Sequence, residues 1–280
     1  EHGNLIIRRS EDRGNTWSSP IDSITGLLRM GEYHTAPMPV ISYRGRIWRA
    51  VECARSNTDI WGKRYSAMII SAPDSADLLQ AASWSVTDSL PYDSTYLDGK
   101  FGAWLEGNAV VTPDGNVADL LRVDYAPGPE YAALIRLRDS VSFDPFDPEK
   151  DFVRMPGGAK KFTVRYDSLS GRYWSLVNYV TQEWAGKQNP AWIRNTLALS
   201  SSPNLQEWTV HRTVLHHPDI AKHGFQYADW LFDGNDIVLL SRTAYDDNGT
   251  GAHNCHDANY MTFHRIKDFR KALTEQAGNR

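Results

Sequence analysis

A hairpin pattern recurs four times along the chain, and it constrains the fold more than any other feature. Each copy is an apolar strand, a tight turn that ends in glycine, and a second apolar strand. The copies are PVISYRGRIWRAVE (39–52), AVVTPDGNVADLLRV (109–123), FTVRYDSLSGRYWSLVN (162–178) and WLFDGNDIVLLSR (230–242). Because glycine tolerates the positive φ that tight turns require, we predict that Gly45, Gly115, Gly171 and Gly234 lie in these turns.

The spacing of these hairpins favours a β-propeller. Their turn glycines are separated by 70, 56 and 63 residues, which is the length of one four-stranded blade with long loops. A β-sandwich is the competing architecture, but its strands recur about every 8–12 residues without this longer period. We therefore predict an all-β fold, a propeller of roughly five to six four-stranded blades with an incomplete N-terminal blade, as a single domain. The strand YMTFHRI (260–266) is expected to close the ring against the first blade, before the short helix KDFRKALTEQ (267–276).

Composition argues against several function classes. The net charge is −4 and no Lys/Arg cluster is present, so a nucleic-acid partner is not expected. No run of about 18 apolar residues exists, so no membrane span is predicted. Cys53 and Cys255 are the only cysteines, which excludes a disulfide framework and leaves their pairing open.

Polar residues are predicted to meet at one end of the hairpins. In an antiparallel hairpin, the residue that enters the first strand and the residue that leaves the second lie at the same end. The entering residues are His34, Glu106, Lys161 and Tyr227, and the leaving residues are Glu52, Arg122, Asn178 and Arg242. The leaving residues follow the turn glycine by seven positions in three hairpins and by eight in the fourth. A single polar residue at a strand end commonly contacts solvent, whereas the whole set is typical of a ligand pocket.

The N-terminal stretch SEDRGNTW (10–17) resembles the Asp box, S-x-D-x-G-x-T-W, of the sialidase superfamily of β-propellers. Weaker copies, SAPDSADLLQAASW and SSSPNLQEW, end at Trp84 and Trp208. In that family the Asp boxes lie at the blade periphery and also occur in proteins that are not sialidases. The resemblance therefore implies the fold more strongly than the activity.

Two further segments resemble sialidase active-site segments. WLEGNAVVTPDGNVADLLR (104–122) is similar to the segment in which a Glu serves as base for the nucleophile and an Arg binds the substrate carboxylate, which implies these roles for Glu106 and Arg122. FQYADWLFDGNDIVLL (225–240) resembles the segment that carries the tyrosine nucleophile, which implies that role for Tyr227. A neutral phenol suits an anionic sugar, since a carboxylate nucleophile would repel it.

The chain also departs from the sialidase pattern. The first substrate-binding Arg and the acid/base Asp of the family would precede Glu1. GGAKKFTV offers Lys160 and Lys161 where a third Arg is expected, and Lys lacks the planar double contact of Arg with a carboxylate. His34 and Glu52 have no sialidase counterpart. In the related rhamnosidases and polysaccharide lyases His and Tyr take the acid/base roles, which makes His34 and Tyr227 candidates for that chemistry.

The remaining candidates surround the predicted pocket. The predicted substrate-binding residues are Arg122, Arg242, Lys161, Glu52, Asn178, Asp59, Asp229, Trp104 and His256. A Trp there can stack on a sugar ring, while a capped turn is the alternative for Asp59. HNCHDANY (253–260) matches no standard zinc spacing, and HRTVLHHPD (211–219) is interpreted as an outer strand and turn, so we predict no metal and no cofactor.

These patterns together predict an exo-acting glycoside hydrolase of the sialidase superfamily, which removes a terminal, acidic sugar from an oligosaccharide or polysaccharide. A polysaccharide lyase or rhamnosidase-like enzyme that uses His and Tyr is one alternative, and a non-catalytic glycan-binding propeller is another. A periplasmic or secreted location is expected. No signal peptide is visible, and because the chain begins almost on a strand, we expect that an N-terminal portion has been removed.

Overall fold

Strands make up most of the regular structure, and α-helices are short. The computed structural model describes residues 3–56 and 58–275, and these contain seventeen strands and three four-residue α-helices. The strands are β1 (Gly3–Ile6), β2 (Leu27–His34), β3 (Ile41–Tyr43), β4 (Arg46–Ala54), β5 (Tyr65–Pro73), β6 (Ser85–Val86), β7 (Ala103–Val111), β8 (Val117–Asp124), β9 (Tyr131–Arg136), β10 (Phe152–Arg154), β11 (Thr163–Asp167), β12 (Arg172–Asn178), β13 (Thr196–Ser202), β14 (Thr209–His216), β15 (Gly224–Asp233), β16 (Asp236–Ala244) and β17 (Tyr260–Ile266). The helices are α1 (Tyr96–Gly99), α2 (Pro148–Asp151) and α3 (Ala272–Glu275). The predicted all-β class is confirmed.

The strands form four sheets, and the chain divides into two compact units. The first unit comprises the chain up to Ser94 with Ala103–Leu121 and Ile135–Asp147, and the second comprises Thr95–Gly102, Arg122–Leu134 and the chain from Pro148 onward. The sheet orders are β1-β2-β4-β5-β6 with β3 also on β4, β10-β9-β8-β7, β11-β12-β13-β14, and β15-β16-β17. The single-domain assignment stays a prediction.

Buried apolar side chains explain the long central strands of each unit. In the first unit β4 pairs with β5 over nine residues, and Val51, Cys53, Met68 and Ile70 form a buried cluster on them. In the second unit a larger cluster joins the sheet of β11–β14 to that of β15–β17. Its members include Trp174, Leu197, Leu199, Phe225, Trp230, Leu239 and Phe269. Removing this apolar surface from water is the main stabilising contribution to these sheets.

The four predicted hairpins are confirmed. They correspond to β3–β4, β7–β8, β11–β12 and β15–β16, and each lies in a different sheet. The four turn glycines have φ of +70°, +79°, +63° and +62°, as the turn chemistry requires. The spacing of 56–70 residues between the turn glycines therefore corresponds to one predicted hairpin in each sheet.

The predicted number of blades is wrong, because the terminal strands pair differently from the expectation. The described residues form four sheets instead of five to six blades. The N-terminal strands do not make a sheet of their own, since Tyr33 and His34 of β2 pair with Cys53 and Glu52 of β4. The last strand does not close against the first sheet; β17 pairs with β16 over seven residues. The predicted terminal helix is seen as α3, whereas Gln276 lies outside the described residues.

Three turns that end in Trp share one hydrogen-bonding device. The indole N–H of Trp17 donates to the Gly14 carbonyl at 3.1 Å, that of Trp84 to Leu78 at 2.9 Å, and that of Trp208 to Leu205 at 3.0 Å. In the first turn Asp12 accepts hydrogen bonds from the N–H and hydroxyl of Thr16, which lower its pKa to about 2. Trp17 remains 56% exposed, so it folds back on its own turn rather than onto a sheet.

No helix among the described residues is long and apolar enough to cross a membrane. Cys53 and Cys255 are both buried free thiols, which answers the question of pairing left open by the sequence.

Candidate functional site

His34 is held by a buried carboxylate. It ends β2 and pairs in register with Glu52 of β4. Its Nδ1 lies 2.9 Å from Glu52 Oε2, and the Glu52 side chain is fully buried. The second carboxylate oxygen of Glu52 accepts the N–H of Gly107 at 3.0 Å. Glu52 therefore fixes the ring of His34, and a carboxylate partner favours the tautomer with the proton on Nδ1.

Glu106 occupies a strained backbone position in β7. Its φ is +53°, which a residue with a side chain rarely adopts, and the residue is buried. Backbone strain of this kind is concentrated at functional sites, where the surrounding structure maintains it. The prediction that Glu106 is a catalytic residue therefore gains an independent observation from the backbone.

Two carboxyl groups converge on Gly107, the residue that follows Glu106. One is Glu52, and the other is Asp119 of β8, whose Oδ1 would lie 2.2 Å from a Cβ at position 107. Only glycine fits at position 107, because any Cβ there would overlap the Asp119 carboxyl group. Burial, with a further contribution from the Glu52 charge, raises the pKa of Asp119 well above its usual value. Asp119 was not among the residues predicted from the sequence, since an Asp within an apolar strand gives no signal of its partners.

Tyr227 lies at an irregular point of β15. The register of β15 against β16 shifts between Gln226 and Asp229, and Tyr227 has φ of +50°. Bulges of this kind redirect a side chain away from the alternation of the strand and are frequent beside active sites. Tyr227 and Glu106 thus share the same unusual backbone conformation, each within its own unit.

Two arginines flank the ring of Tyr227. The guanidinium carbon of Arg242 lies 4.8 Å from the ring centroid, and that of Arg194 lies 5.9 Å from it. Arg194 donates from Nη1 to Gln226 Oε1 at 2.8 Å, and Arg242 donates from Nη2 to the His256 carbonyl at 3.1 Å. Arg242 was predicted and Arg194 was missed. Arg194 stands just before β13, a strand outside the four hairpins on which the prediction was based.

His256 completes what we call the Tyr227 group, namely Arg194, Tyr227, Arg242 and His256. Its ring meets the Tyr227 ring edge to face, with centroids 6.2 Å apart. Burial and then the charge of Arg194 lower the pKa of His256, so its imidazole is neutral at neutral pH. The amide of Gln226 holds this loop in place by donating to the carbonyls of Cys255 and His256 at 2.8 and 2.7 Å.

Three other predicted residues bind backbone carbonyls. Lys161 donates from Nζ to the Ala228 carbonyl at 2.9 Å, and Asn178 donates to the Phe225 carbonyl at 2.6 Å. Both contacts reach the strand that carries Tyr227. Arg122 donates from Nε to the Ala159 carbonyl at 2.9 Å, and all three residues are buried. These observations give Lys161 and Asn178 a supporting role around β15, while substrate contact stays a prediction.

The last predicted residues have separate surroundings. Asp59 is exposed in the loop after β4, and Asp229 forms an ion pair with Arg165 at 3.3 Å. Trp104 is fully buried, and its indole N–H donates to the Pro91 carbonyl at 2.9 Å. The expectation that Trp104 stacks on a sugar is therefore wrong, because packing encloses both of its faces.

A cavity of about 580 Å³ lies elsewhere in the second unit. Its walls are mostly apolar, with Pro127, Pro129, Met155, Tyr179 and Trp208 among the lining residues. Glu130 also lines the cavity and pairs with the buried Lys160. The lining residues differ from those of the Tyr227 group, so we regard this cavity as separate from the candidate site.

Comparison with known proteins shows a shared fold and no close sequence relative. No protein-family profile and no curated sequence matches the chain. An alanine mutant of the B. megaterium levansucrase superposes with a TM-score of 0.55 at 10% identity, covering 94% of this chain and 73% of that chain. For a B. subtilis levansucrase mutant the TM-score is 0.52 at 9% identity, covering 83% and 66%. The Bombyx mori GH32 β-fructofuranosidase BmSUC1 gives 0.49 at 14% identity, and the chain spans 43% of its length.

The levansucrase likenesses support the predicted all-β propeller arrangement, with four sheets among the described residues. Identities this low carry information about the fold and none about the activity.

Proposed function

We propose that this protein is a glycoside hydrolase that removes a terminal, acidic sugar from a complex glycan. The observation that carries the proposal is the position of two guanidinium groups, of Arg194 and Arg242, beside the ring of Tyr227. Arg is the side chain best suited to bind a carboxylate, because its planar fork donates two parallel hydrogen bonds. Two such groups beside one tyrosine support the proposal that an anionic sugar binds there.

Tyr227 is the proposed nucleophile. Its phenolic oxygen would bond to the anomeric carbon while the glycosidic carbon–oxygen bond breaks, and the phenolic proton would pass through a general base to the departing oxygen. Water would then hydrolyse the glycosyl-tyrosine and restore the phenol. The bulge and the positive φ at Tyr227 support this role, since both are features of a side chain directed for function at a cost in backbone strain.

The contact between His34 and Glu52 favours a second candidate, a polysaccharide lyase. A histidine oriented by a buried carboxylate is a suitable general base, as the carboxylate stabilises the imidazolium that forms. His34 would abstract the C5 proton of a uronate, and the leaving group at C4 would depart to give a 4,5-unsaturated product. That product absorbs in the near ultraviolet, whereas a hydrolysis product does not.

The deciding experiment is a panel of aryl glycosides of sialic acid, uronic acids and rhamnose, run beside uronate-containing polysaccharides. A nitrophenyl leaving group needs little protonation, so the assay reports on the nucleophile. We expect release from an acidic glycoside and a loss of about 1,000-fold or more in Tyr227→Phe, because phenylalanine lacks the nucleophilic oxygen. Tyr166→Phe is the control, because Tyr166 is an exposed tyrosine of the same unit.

Each alternative gives a different pattern in this panel. Ultraviolet absorption that grows with a uronate polysaccharide and is lost in His34→Ala would replace the hydrolase by the lyase. Release from the rhamnoside alone would refute the acidic substrate. Saturable glycan binding without turnover on any substrate would show a non-catalytic propeller and overturn both enzymatic candidates.

A further inference from the structure

Three side chains of types that can bind metal ions converge at one edge of the second unit. His217 directly follows β14, His223 directly precedes β15, and Asp246 lies two residues beyond the end of β16. Their candidate ligand atoms all lie within 4.8 Å of one another. The run HRTVLHHPD (211–219) was interpreted from the sequence as an outer strand and turn, and its last histidine, His217, belongs to this cluster.

His223 carries an unsatisfied nitrogen that faces the cluster. Its side chain is only 5% exposed, and its Nδ1 lies 2.8 Å from Asp219 Oδ2. Its Nε2 lies 3.4 Å from Asp246 Oδ1, yet this buried atom makes no hydrogen bond among the described residues. A buried polar atom without a hydrogen-bond partner destabilises the folded state, so a missing partner of Nε2 is indicated.

The contact of His223 with Asp219 matches the contact that a metal-binding histidine usually makes with a carboxylate. Histidine ligands commonly donate their other ring N–H to a carboxylate, which fixes the ring and directs the remaining lone pair at the metal. Asp219 supplies this carboxylate to Nδ1, and Nε2 is the nitrogen directed at Asp246. His223 Nε2, which has no hydrogen-bond partner, is therefore the atom that would bind a metal.

His217 and Tyr245 build the rest of the pocket wall. The His217 ring stacks on His223 with centroids 3.5 Å apart, and Tyr245 meets the two rings edge to face at 5.3 and 4.9 Å. His217 Nδ1 accepts the N–H of Asp219 at 3.1 Å. A neutral imidazole offers one lone pair, so a cation bound at His217 competes with this hydrogen bond.

The donor set indicates the class of metal. Two imidazole nitrogens and one carboxylate oxygen suit Zn²⁺, which commonly takes three protein ligands and a water. The side chain of Asp246 is 75% exposed, so water can reach the fourth position. Ca²⁺ and Mg²⁺ prefer sites made of oxygen ligands and fit this set poorly.

We propose that His217, His223 and Asp246 bind one Zn²⁺ ion, with Asp219 orienting His223. The ion would connect the loop before β15 to the segment after β16. Since β15 begins at Gly224, three residues before Tyr227, the ion would hold the start of the strand that carries the candidate nucleophile. The site stands whatever reaction the protein catalyses.

Calorimetric titration with Zn²⁺ tests the proposal, using full-length protein stripped with a chelator and then freed of it. We expect one equivalent to bind and the thermal midpoint of unfolding to rise with Zn²⁺ concentration, because the ion binds the folded state. Asp246→Asn should weaken binding by about tenfold or more, and Asp219→Asn by about tenfold. Asp246 is exposed, so its replacement is compatible with folding even if His223→Ala is not.

The control variant is His253→Ala, which alters the exposed histidine of the HNCHDANY run and leaves the cluster intact. It should bind Zn²⁺ like the original protein. The proposal is overturned if no saturable binding occurs, if Asp246→Asn and His217→Ala bind as tightly as the original protein, or if His253→Ala abolishes binding.

Discussion

Arg242 places its guanidinium carbon 4.8 Å from the centre of the Tyr227 ring, over its face. The two residues come from paired strands, since Arg242 of β16 is opposite Gln226 of β15, and the bulge after Gln226 turns Tyr227. Both were predicted from their positions at hairpin ends. Their contact concentrates positive charge at one tyrosine, which is the basis for expecting an anionic ligand.

Replacing Arg242 should therefore affect binding of the acidic group. Arg242→Lys keeps the charge but removes the planar fork, so we expect KM for the acidic aryl glycoside to rise about tenfold, with a smaller change in kcat. Arg242→Gln should raise KM further. The control is Arg165→Lys, since Arg165 also contacts an aromatic ring, that of Trp230, at 5.7 Å. Equal KM values in all variants would contradict an anion-binding role for Arg242.

Asp119→Asn should stabilise the protein above about pH 4. Burial raises the pKa of Asp119 above its usual 3.8, so the folded state holds a proton that the unfolded state releases. Its contribution to stability is complete below pH 3.8 and declines by up to about 1.4 kcal/mol per pH unit as pH rises toward the folded pKa. Asparagine resembles the protonated carboxyl and removes this decline. Urea unfolding of both proteins from pH 3.5 to pH 7.5 measures this decline. If the free energy of unfolding changed with pH in parallel for the two proteins, the raised pKa of Asp119 would be refuted.

Glu52→Gln should reduce the benefit of Asp119→Asn. The Glu52 charge is the second cause of the raised pKa of Asp119, so its removal lowers that pKa. A double-mutant cycle at pH 7 measures the coupling between the two carboxyl groups. Strict additivity would mean that burial alone determines the protonation of Asp119.

Asp167→Asn should destabilise the second unit at neutral pH. Arg270 donates from Nε and Nη2 to the two oxygens of Asp167, each at 2.7 Å, and this pairing lowers the pKa of Asp167 to about 2. The stabilisation is present above pH 3.8 and is lost as pH falls through about 2. We expect a loss of about 2 kcal/mol at pH 7 and convergence of the two proteins near pH 2, measured by chemical unfolding. Asp74→Asn, at an exposed position, is the control and should change little.

Neither cysteine should react in the native state. Burial raises the pKa of both thiols, and each residue is 3% exposed. A thiol-specific chromogenic reagent at pH 8 should therefore label the folded protein slowly, and two thiols per chain should appear in denaturant. A denatured chain without reactive thiols would instead show a disulfide between Cys53 and Cys255.

Local patterns in the sequence were sufficient for the strands and turns. The apolar strands of the four hairpins and the glycine in each turn depend on a few neighbouring residues, and all four hairpins are confirmed. The same patterns placed Tyr227 and Arg242 at hairpin ends, where the structure shows them in contact. Turn chemistry and strand alternation are encoded within about ten residues, so they can be predicted without the fold.

The number of sheets and the membership of the site depended on the tertiary structure. Whether β2 and β17 open new sheets or extend existing ones depends on hydrogen bonds to β4 and β16, and no local pattern specifies these partners. The same holds for Arg194 beside Tyr227, for the raised pKa of Asp119 and for the enclosed ring of Trp104. The sequence alone determined which segments become strands and where polar groups end them. Burial and contact partners are properties of the packed chain, because they arise from residues far apart in sequence that meet only when the sheets assemble.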